Sequence, residues 1–285
     1  GNHLIENCDV HELSRIDHTY TPAIVLSGVG SRIARNRFHD IPSSAIRLGG
    51  NDHVVELNEI HHVVQESDDQ GGADMWGNAT YRGNVYHYNY WHHIGNQVNP
   101  HEEPGCGQAG IRLDDAISGT RIYGNIFYRA SAGKLGFGGV QIHGGKDNVV
   151  DNNVFLECMA AVSFSAWGDE RWRKFVAAAM DAEDIDPALY LERYPQLERL
   201  AEDHDVNTIA HNLVLNCEEL FRRDSGRAVV ENNIVTNEDA LKATERGIDL
   251  HSLTPFLAQH GLAPIPFDEI GLYTDAYRPA LPPGS

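Results

Sequence analysis

The sequence predicts an all-β fold, a right-handed parallel β-helix, from three observations: a short unit recurs seven times, apolar and polar residues alternate inside each unit, and glycine-rich turns separate the units. The unit is an apolar residue, two variable residues, Asn, one variable residue and a second apolar residue. It occurs at Ile33/Asn36/Phe38, Val55/Asn58/Ile60, Tyr86/Asn89/Trp91, Ile122/Asn125/Phe127, Val150/Asn153/Phe155, Ile209/Asn212/Val214 and Val230/Asn233/Val235. Asn36 and Asn58 are 22 residues apart, Asn125 and Asn153 are 28, and Asn212 and Asn233 are 21, the period of a solenoid coil. A leucine-rich framework and a 3.6-residue apolar stripe are both lacking, which leaves a coil of parallel strands.

Stacked coils bring each repeated Asn over the next at about 4.8 Å, so an asparagine ladder is expected, with a structural role. The residue five positions after the first six of these asparagines is Ile41, Val63, Ile94, Ala130, Cys158 or Cys217, and that column is expected in the core. Cys158 and Cys217 then read as buried thiols first and as a disulfide only secondarily. The rhythm breaks across 168–205, where Ala and Leu at helical spacing and Pro187 at a first helical position predict a short α-helical insertion. Such insertions decorate a solenoid or wall a binding cleft. The segment 238–285, expected to be helical from Asp239 to Gly261 and Pro-rich after it, is expected to cap the stack. The repeat is already in register at the first residues, so an N-terminal part of the native protein, with any targeting signal, is expected to precede Gly1.

The 285 residues read as one domain, and 22 Lys+Arg against 41 Asp+Glu give a net charge of −19 that disfavours nucleic acid and anionic membranes. No apolar run reaches the ~20 residues needed to span a bilayer. The four cysteines form no CxxC pair.

A second strand of each coil aligns through Leu48, Met75, Leu113, Ile142 and Phe164, taken as inward. The flanking outward columns are then Arg47, Asp74, Arg112, Gln141 and Ser163, and Gly49, Trp76, Asp114, His143 and Ser165. Together they make an exposed strip in which Trp76 would pack on a sugar ring while Arg112, His143, Asp74 and Gln141 bind its hydroxyls. Two acidic doublets bracket the strip, Asp68-Asp69 and Asp114-Asp115. Glycoside hydrolysis needs one protonated and one ionised carboxyl beside the scissile bond, and crowded carboxylates separate their pKa values. Paired aspartates also occur in turns and in Ca²⁺ sites.

The runs Asn58-Glu59-Ile60-His61-His62, Ser67-Asp68-Asp69-Gln70-Gly71, Tyr81-Arg82-Gly83-Asn84-Val85, Gly110-Ile111-Arg112-Leu113-Asp114-Asp115 and Ser118-Gly119-Thr120-Arg121-Ile122-Tyr123-Gly124-Asn125 resemble right-handed β-helix glycoside hydrolases, nearest to glycoside hydrolase family 141. The likeness continues through Gly144-Gly145-Lys146-Asp147-Asn148 and Arg193-Tyr194-Pro195 to Ile270-Gly271-Leu272-Tyr273. It implies a secreted or periplasmic enzyme that cleaves a plant or microbial polysaccharide with two aspartates, at positions matching Asp69 and Asp114. Which member of each doublet acts stays open: alternation turns Asp114 toward the cleft, whereas Asp68 and Asp69 lie in a turn. The sequence departs from the expected pattern at Gly72-Ala73-Asp74-Met75-Trp76 and at Asn99-Pro100-His101-Glu102-Glu103-Pro104-Gly105.

No cofactor is implied. The 16 histidines invite a metal, but neighbours in pairs such as His61-His62 and His92-His93 are expected on opposite strand faces, so no metal site is expected. Two other readings remain, a polysaccharide lyase acting on uronic acids and a non-catalytic carbohydrate-binding β-helix. A lyase would use Arg47 or Arg112 to neutralise a uronate, although the strip contains no Lys.

Overall fold

The computed structural model describes residues 1–98, 101, 105–181, 185–238, 243–244 and 247–282. The chain winds as a right-handed parallel β-helix with three sheets. Sheet 1 runs from Leu4–Glu6 to Val229–Glu231 and sheet 2 from Asp9–His11 to Ile234–Thr236, each with eight strands in coil order. Sheet 3 runs from Ile24–Val29 to Phe221–Arg222 and contains Ile46–Asn51, Gln70–Met75, Gln108–Leu113, Val140–His143 and Val162–Ser165.

The repeated unit spans the corner between sheets 1 and 2. The residue before each ladder asparagine is left-handed, as at Arg35, Leu57, Tyr88, Asn152, His211 and Asn232, with φ between 50 and 58°. That conformation is unfavourable for a side-chain-bearing residue and persists only where the surroundings hold it. The asparagine holds it. From Asn36 to Asn233 each side-chain amide donates to the Oδ1 of the next at 2.8–3.0 Å, and the same Oδ1 accepts the preceding asparagine's backbone N–H. The second amide proton goes to a carbonyl one coil back, such as Tyr86 O from Asn125 at 2.9 Å. The expected ladder is therefore complete, and it is buried from Asn36 to Asn212.

Five residues before the ladder positions from Asn36 to Asn212 stands a second polar column that was not among the expectations. His53 N–H donates to Asn84 Oδ1, Thr120 N–H to Asn148 Oδ1, and the Asn148 side chain to Asn207 Oδ1, all at 3.0 Å. The fixed offset from Asn89, Asn153 and Asn212 was the signal that would have found it.

Inside, Phe38, Ile60, Trp91, Phe127 and Phe155 stack along sheet 2, with Phe127 and Phe155 centroids 4.8 Å apart. Sheet 3 passes so close to this stack that it carries glycine there. A Cβ on Gly110 would lie 2.8 Å from Phe127, and one on Gly139 would lie 2.7 Å from Phe155. These glycines belong to or adjoin strands rather than turns. The column of Ile41, Val63, Ile94, Ala130 and Cys158 is core as expected, and Cys217 packs against it; both thiols are free.

The insertion contains α1 (Asp169–Met180) and α2 (Pro187–Arg193), with Asp186 capping α2 at the Ala188 and Leu189 amides. The described residues of the C-terminal segment do not pack over the last coil, where inward Val230 is 45% exposed. Instead Ile248, Leu253, Leu257, Leu262 and Ile265 pack on the outer face of sheet 2, against Ile126, Tyr128, Val154, Leu156, Leu213 and Leu215. The segment then runs back to the first coil, where Tyr273 N–H donates to Asn7 Oδ1. The physical reason is apolar: from Ile126 onward this outer face is hydrophobic and needs a cover.

Candidate active site

Sheet 3 holds the predicted columns in the predicted register. Arg47 pairs with Asp74, Asp74 with Arg112, Arg112 with Gln141 and Gln141 with Ser163, while Met75, Leu113, Ile142 and Phe164 face the core. The pairing continues one residue past the strand, because Asp114 N–H donates to Met75 O at 2.8 Å. Trp76 and Asp114 are thus neighbours on adjacent coils.

The columns differ in access, and here the expected exposed strip needs correction. Asp74 and Gln141 point away from the core, yet they are only 2% and 1% exposed, so neither can touch a substrate. Tyr20 packs on the Arg47 guanidinium, and Phe137 lies under the guanidinium groups of both Arg112 and Arg223. Asp74 is a supporting carboxylate that accepts from Ser44 Oγ at 2.6 Å and from Gly71 N–H at 3.2 Å. Burial pushes its pKa up to about 6, against the opposing pull of Arg112 and Ser44.

Arg112 gathers the site. Its Nη2 lies 2.8 Å from Asp69 Oδ1 and 2.9 Å from Asp114 Oδ2, and its Nη1 donates to Asp69 O at 2.6 Å. The left-handed backbone of Asp69, φ 55°, lets carbonyl and carboxylate turn to the same guanidinium. Because both carboxylates bind one nitrogen, their nearest oxygens are under about 6 Å apart, close enough to flank one glycosidic bond.

The two doublets divide their labour. Asp68 accepts the backbone N–H of Cys106 and Gly107, both at 2.9 Å, and so pins a loop, while Asp69 faces Arg112. Asp114 binds Arg112 through one oxygen and His143 Nδ1 through the other at 2.6 Å. Asp115 turns to Arg171 of α1 at 3.3 Å, and it lies 3.6 Å from His143 Nδ1.

Their environments push the carboxyl pKa values in opposite directions. Burial raises Asp69, assisted by the charges of Asp114 and Asp68, although Arg112 opposes the rise. Burial alone would also raise Asp114, but its hydrogen bond to His143 and the charge of Arg112 outweigh that and hold it below the ordinary carboxylate value.

Trp76 is 54% exposed and forms one wall of a cavity of about 280 Å³ whose lining includes Arg47, Gly49, Asn78 and Tyr81. The cavity's lining does not include the carboxylates; Trp76, the neighbour of Asp114 on the adjacent coil, is its link to them. Arg47 is shared between the cavity and the strip floor. The insertion lies against the site, one of the two roles open to it from the sequence, through residues not singled out there: Arg171 lies 3.6 Å over the Trp167 ring, which meets His143 edge-to-face. Tyr20, beside Arg47 with its hydroxyl pKa raised by burial and by Asp69, was also missed, because the loop that carries it has no repeat pattern. The Asn99–Gly105 departure lies largely outside the described residues.

The histidine pairs also differ from expectation. His62 and His93 are left-handed, φ 48 and 51°, which swings each ring back beside its neighbour: Nδ1 to Nδ1 is 2.8 Å for His61-His62 and 3.0 Å for His92-His93. One left-handed residue in each pair breaks the alternation that would have put the two rings on opposite faces.

Among known proteins, the sequence model of the family described as right handed beta helix region matches residues 22–171. No curated protein and no solved structure matches the chain significantly.

Proposed function

The chain belongs to the right-handed β-helix family, which fits carbohydrate-active enzymes and binders, and from that premise we propose that it is a glycoside hydrolase with Asp69 as general acid and Asp114 as nucleophile or base. One observation carries the reading: two carboxylates share the Arg112 Nη2, and their surroundings shift the pKa of Asp69 upward and that of Asp114 downward. That difference matches the division of roles in glycosidic cleavage, in which one carboxyl protonates the leaving oxygen and the other attacks or activates water. Arg112 would hold both in place, and His143 would orient Asp114 through the second carboxylate oxygen. Trp76 offers an exposed platform for an adjoining sugar ring.

The resemblance to glycoside hydrolase family 141, a polysaccharide substrate, and a secreted or periplasmic setting belong to this proposal. The lyase reading has less support because Arg112 is held by Asp69 and Asp114, which leaves Arg47 as its candidate to neutralise a uronate. Screening plant and microbial polysaccharides and aryl glycosides with wild type, Asp69→Asn and Asp114→Asn tests the proposal. Release of reducing sugar that both substitutions abolish supports it. Products absorbing in the near ultraviolet would indicate elimination instead, and sugar binding without turnover would indicate a binding module.

A further inference from the structure

Outside the cleft, sheet 2 carries a column of four imidazoles on its outer face. His11, His39, His61 and His92 are register partners on successive coils, and their rings stack at centroid distances of 4.7, 5.0 and 4.6 Å. Two residues before His61 on the same strand, and so on the same face, stands Glu59. Its Oε1 lies 3.4 Å from His92 Nε2, and one ligand atom each from Glu59, His61 and His92 fall within 4.8 Å of one another.

Three carboxylate–imidazole groups of this size exist among the described residues, and their charge balance separates them. Asp9, His11 and His39 repeat the same arrangement of two alternate residues and a cross-strand partner, but Arg37 holds both Asp9 oxygens at 2.9 and 2.7 Å. Asp114, Asp115 and His143 are matched by Arg112 and Arg171. Glu59 makes no ion pair with Lys or Arg among the described residues. Its carboxylate is one-quarter exposed beside the buried His92, and among the described residues its ion-pair contact is to that imidazole.

The remaining ring nitrogens supply what a liganding histidine needs. His61 Nδ1 meets His62 Nδ1, and His92 Nδ1 meets His93 Nδ1. A ring whose Nδ1–H is donated to such a neighbour presents a bare Nε2 lone pair, the form that binds a cation. The left-handed turns at His62 and His93 thus place two orienting histidines behind two liganding ones.

We propose that Glu59, His61 and His92 form a site for a divalent first-row transition cation of the zinc type, clipping strand Glu59–Val63 to strand Tyr90–His92. Two imidazoles and one carboxylate select this class over Ca²⁺ or Mg²⁺, which take predominantly oxygen ligands. Metal–ligand bonds of roughly 2.0–2.2 Å require the three side chains to close in by under about 1 Å, within the range of side-chain rotation. The proposal is independent of the hydrolase reading.

The test uses tag-free, chelator-treated full-length protein, titrated with Co²⁺ by visible absorbance and with Zn²⁺ by equilibrium dialysis. The expected result is one equivalent bound, with Co²⁺ ligand-field bands, and affinity lowered at least about tenfold by Glu59→Gln and by His61→Gln. Asp9→Asn and Asp114→Asn should leave the affinity within about twofold, because their groups are not ligands here. No saturable binding up to about 1 mM, or binding that Glu59→Gln leaves intact, overturns the site. Loss on Asp114→Asn alone would assign the ion to the cleft and likewise overturn it. Should His61→Gln fold poorly, Glu59→Gln decides, since it is a near-isosteric change at a partly exposed side chain.

Discussion

Asp69 and Asp114 differ by neighbourhood rather than by residue type, and the difference has a pH signature. Under the hydrolase proposal, activity requires Asp114 ionised and Asp69 protonated. Activity should rise with pH through the lowered pKa of Asp114 and fall again through the raised pKa of Asp69. Asp69→Asn should remove the alkaline limb and lower kcat/KM on unactivated glycosides by about 10²–10⁴, with a much smaller loss on aryl glycosides whose leaving groups need no proton. Equal losses on both substrate classes would rule out the acid role. Asp74 makes a stability prediction instead. Its folded pKa of about 6 exceeds the unfolded value, so between about pH 4 and pH 6 the folded state binds more protons and stability falls as pH rises. Asp74→Asn should flatten that part of the profile, measured as melting temperature against pH.

The corner between sheets 1 and 2 is the element on which the stack depends, because one side chain satisfies groups in three coils. Asn125 donates to Asn153 and to Tyr86 O, and its Oδ1 accepts from the Asn89 backbone and side chain. Asn125→Ala leaves several buried polar groups unpaired at about 1–3 kcal/mol each, so a loss of at least about 3 kcal/mol is expected by chemical denaturation. Asn233→Ala, in the half-buried last coil, should be milder. Gly110→Ala makes the complementary test, since its methyl would press on Phe127 and on Gly139 O; a loss of about 1–3 kcal/mol is expected. The histidine corner of sheet 2 uses the same left-handed device, there turning ring pairs outward rather than holding a ladder.

At the scale of the whole molecule, the C-terminal segment ties the last coils to the first along the outside of sheet 2. A β-helix is held mainly by nearest-neighbour contacts, so a strap that spans many coils adds cooperativity the stack lacks. Ending the chain at residue 238 should expose Ile126, Tyr128, Leu156 and Leu215, lower the melting temperature and create dye-binding apolar surface. An unchanged melting temperature would show that the strap adds no stability. The cleft is likewise a whole-molecule product: sheet 3 forms its floor, Tyr20 and Phe137 cover part of it, and α1 brings Arg171 to Asp115.

What the sequence determined by itself was everything that repeats. The Asn36-to-Asn233 ladder, the inward aromatics, the register of Arg47, Asp74, Arg112 and Gln141, and the nearness of Trp76, Asp114 and His143 all follow from one period and one alternation. Periodic stacking converts sequence spacing directly into distance along the solenoid. Only the tertiary structure decided which outward residues remain accessible, because covering loops such as the one bearing Tyr20 carry no period. It also decided that Asp69 rather than Asp68 meets Arg112, and that His61 meets His62. Both depend on a single left-handed residue, and one reversed φ redirects a side chain without leaving any mark in the pattern of apolar and polar residues.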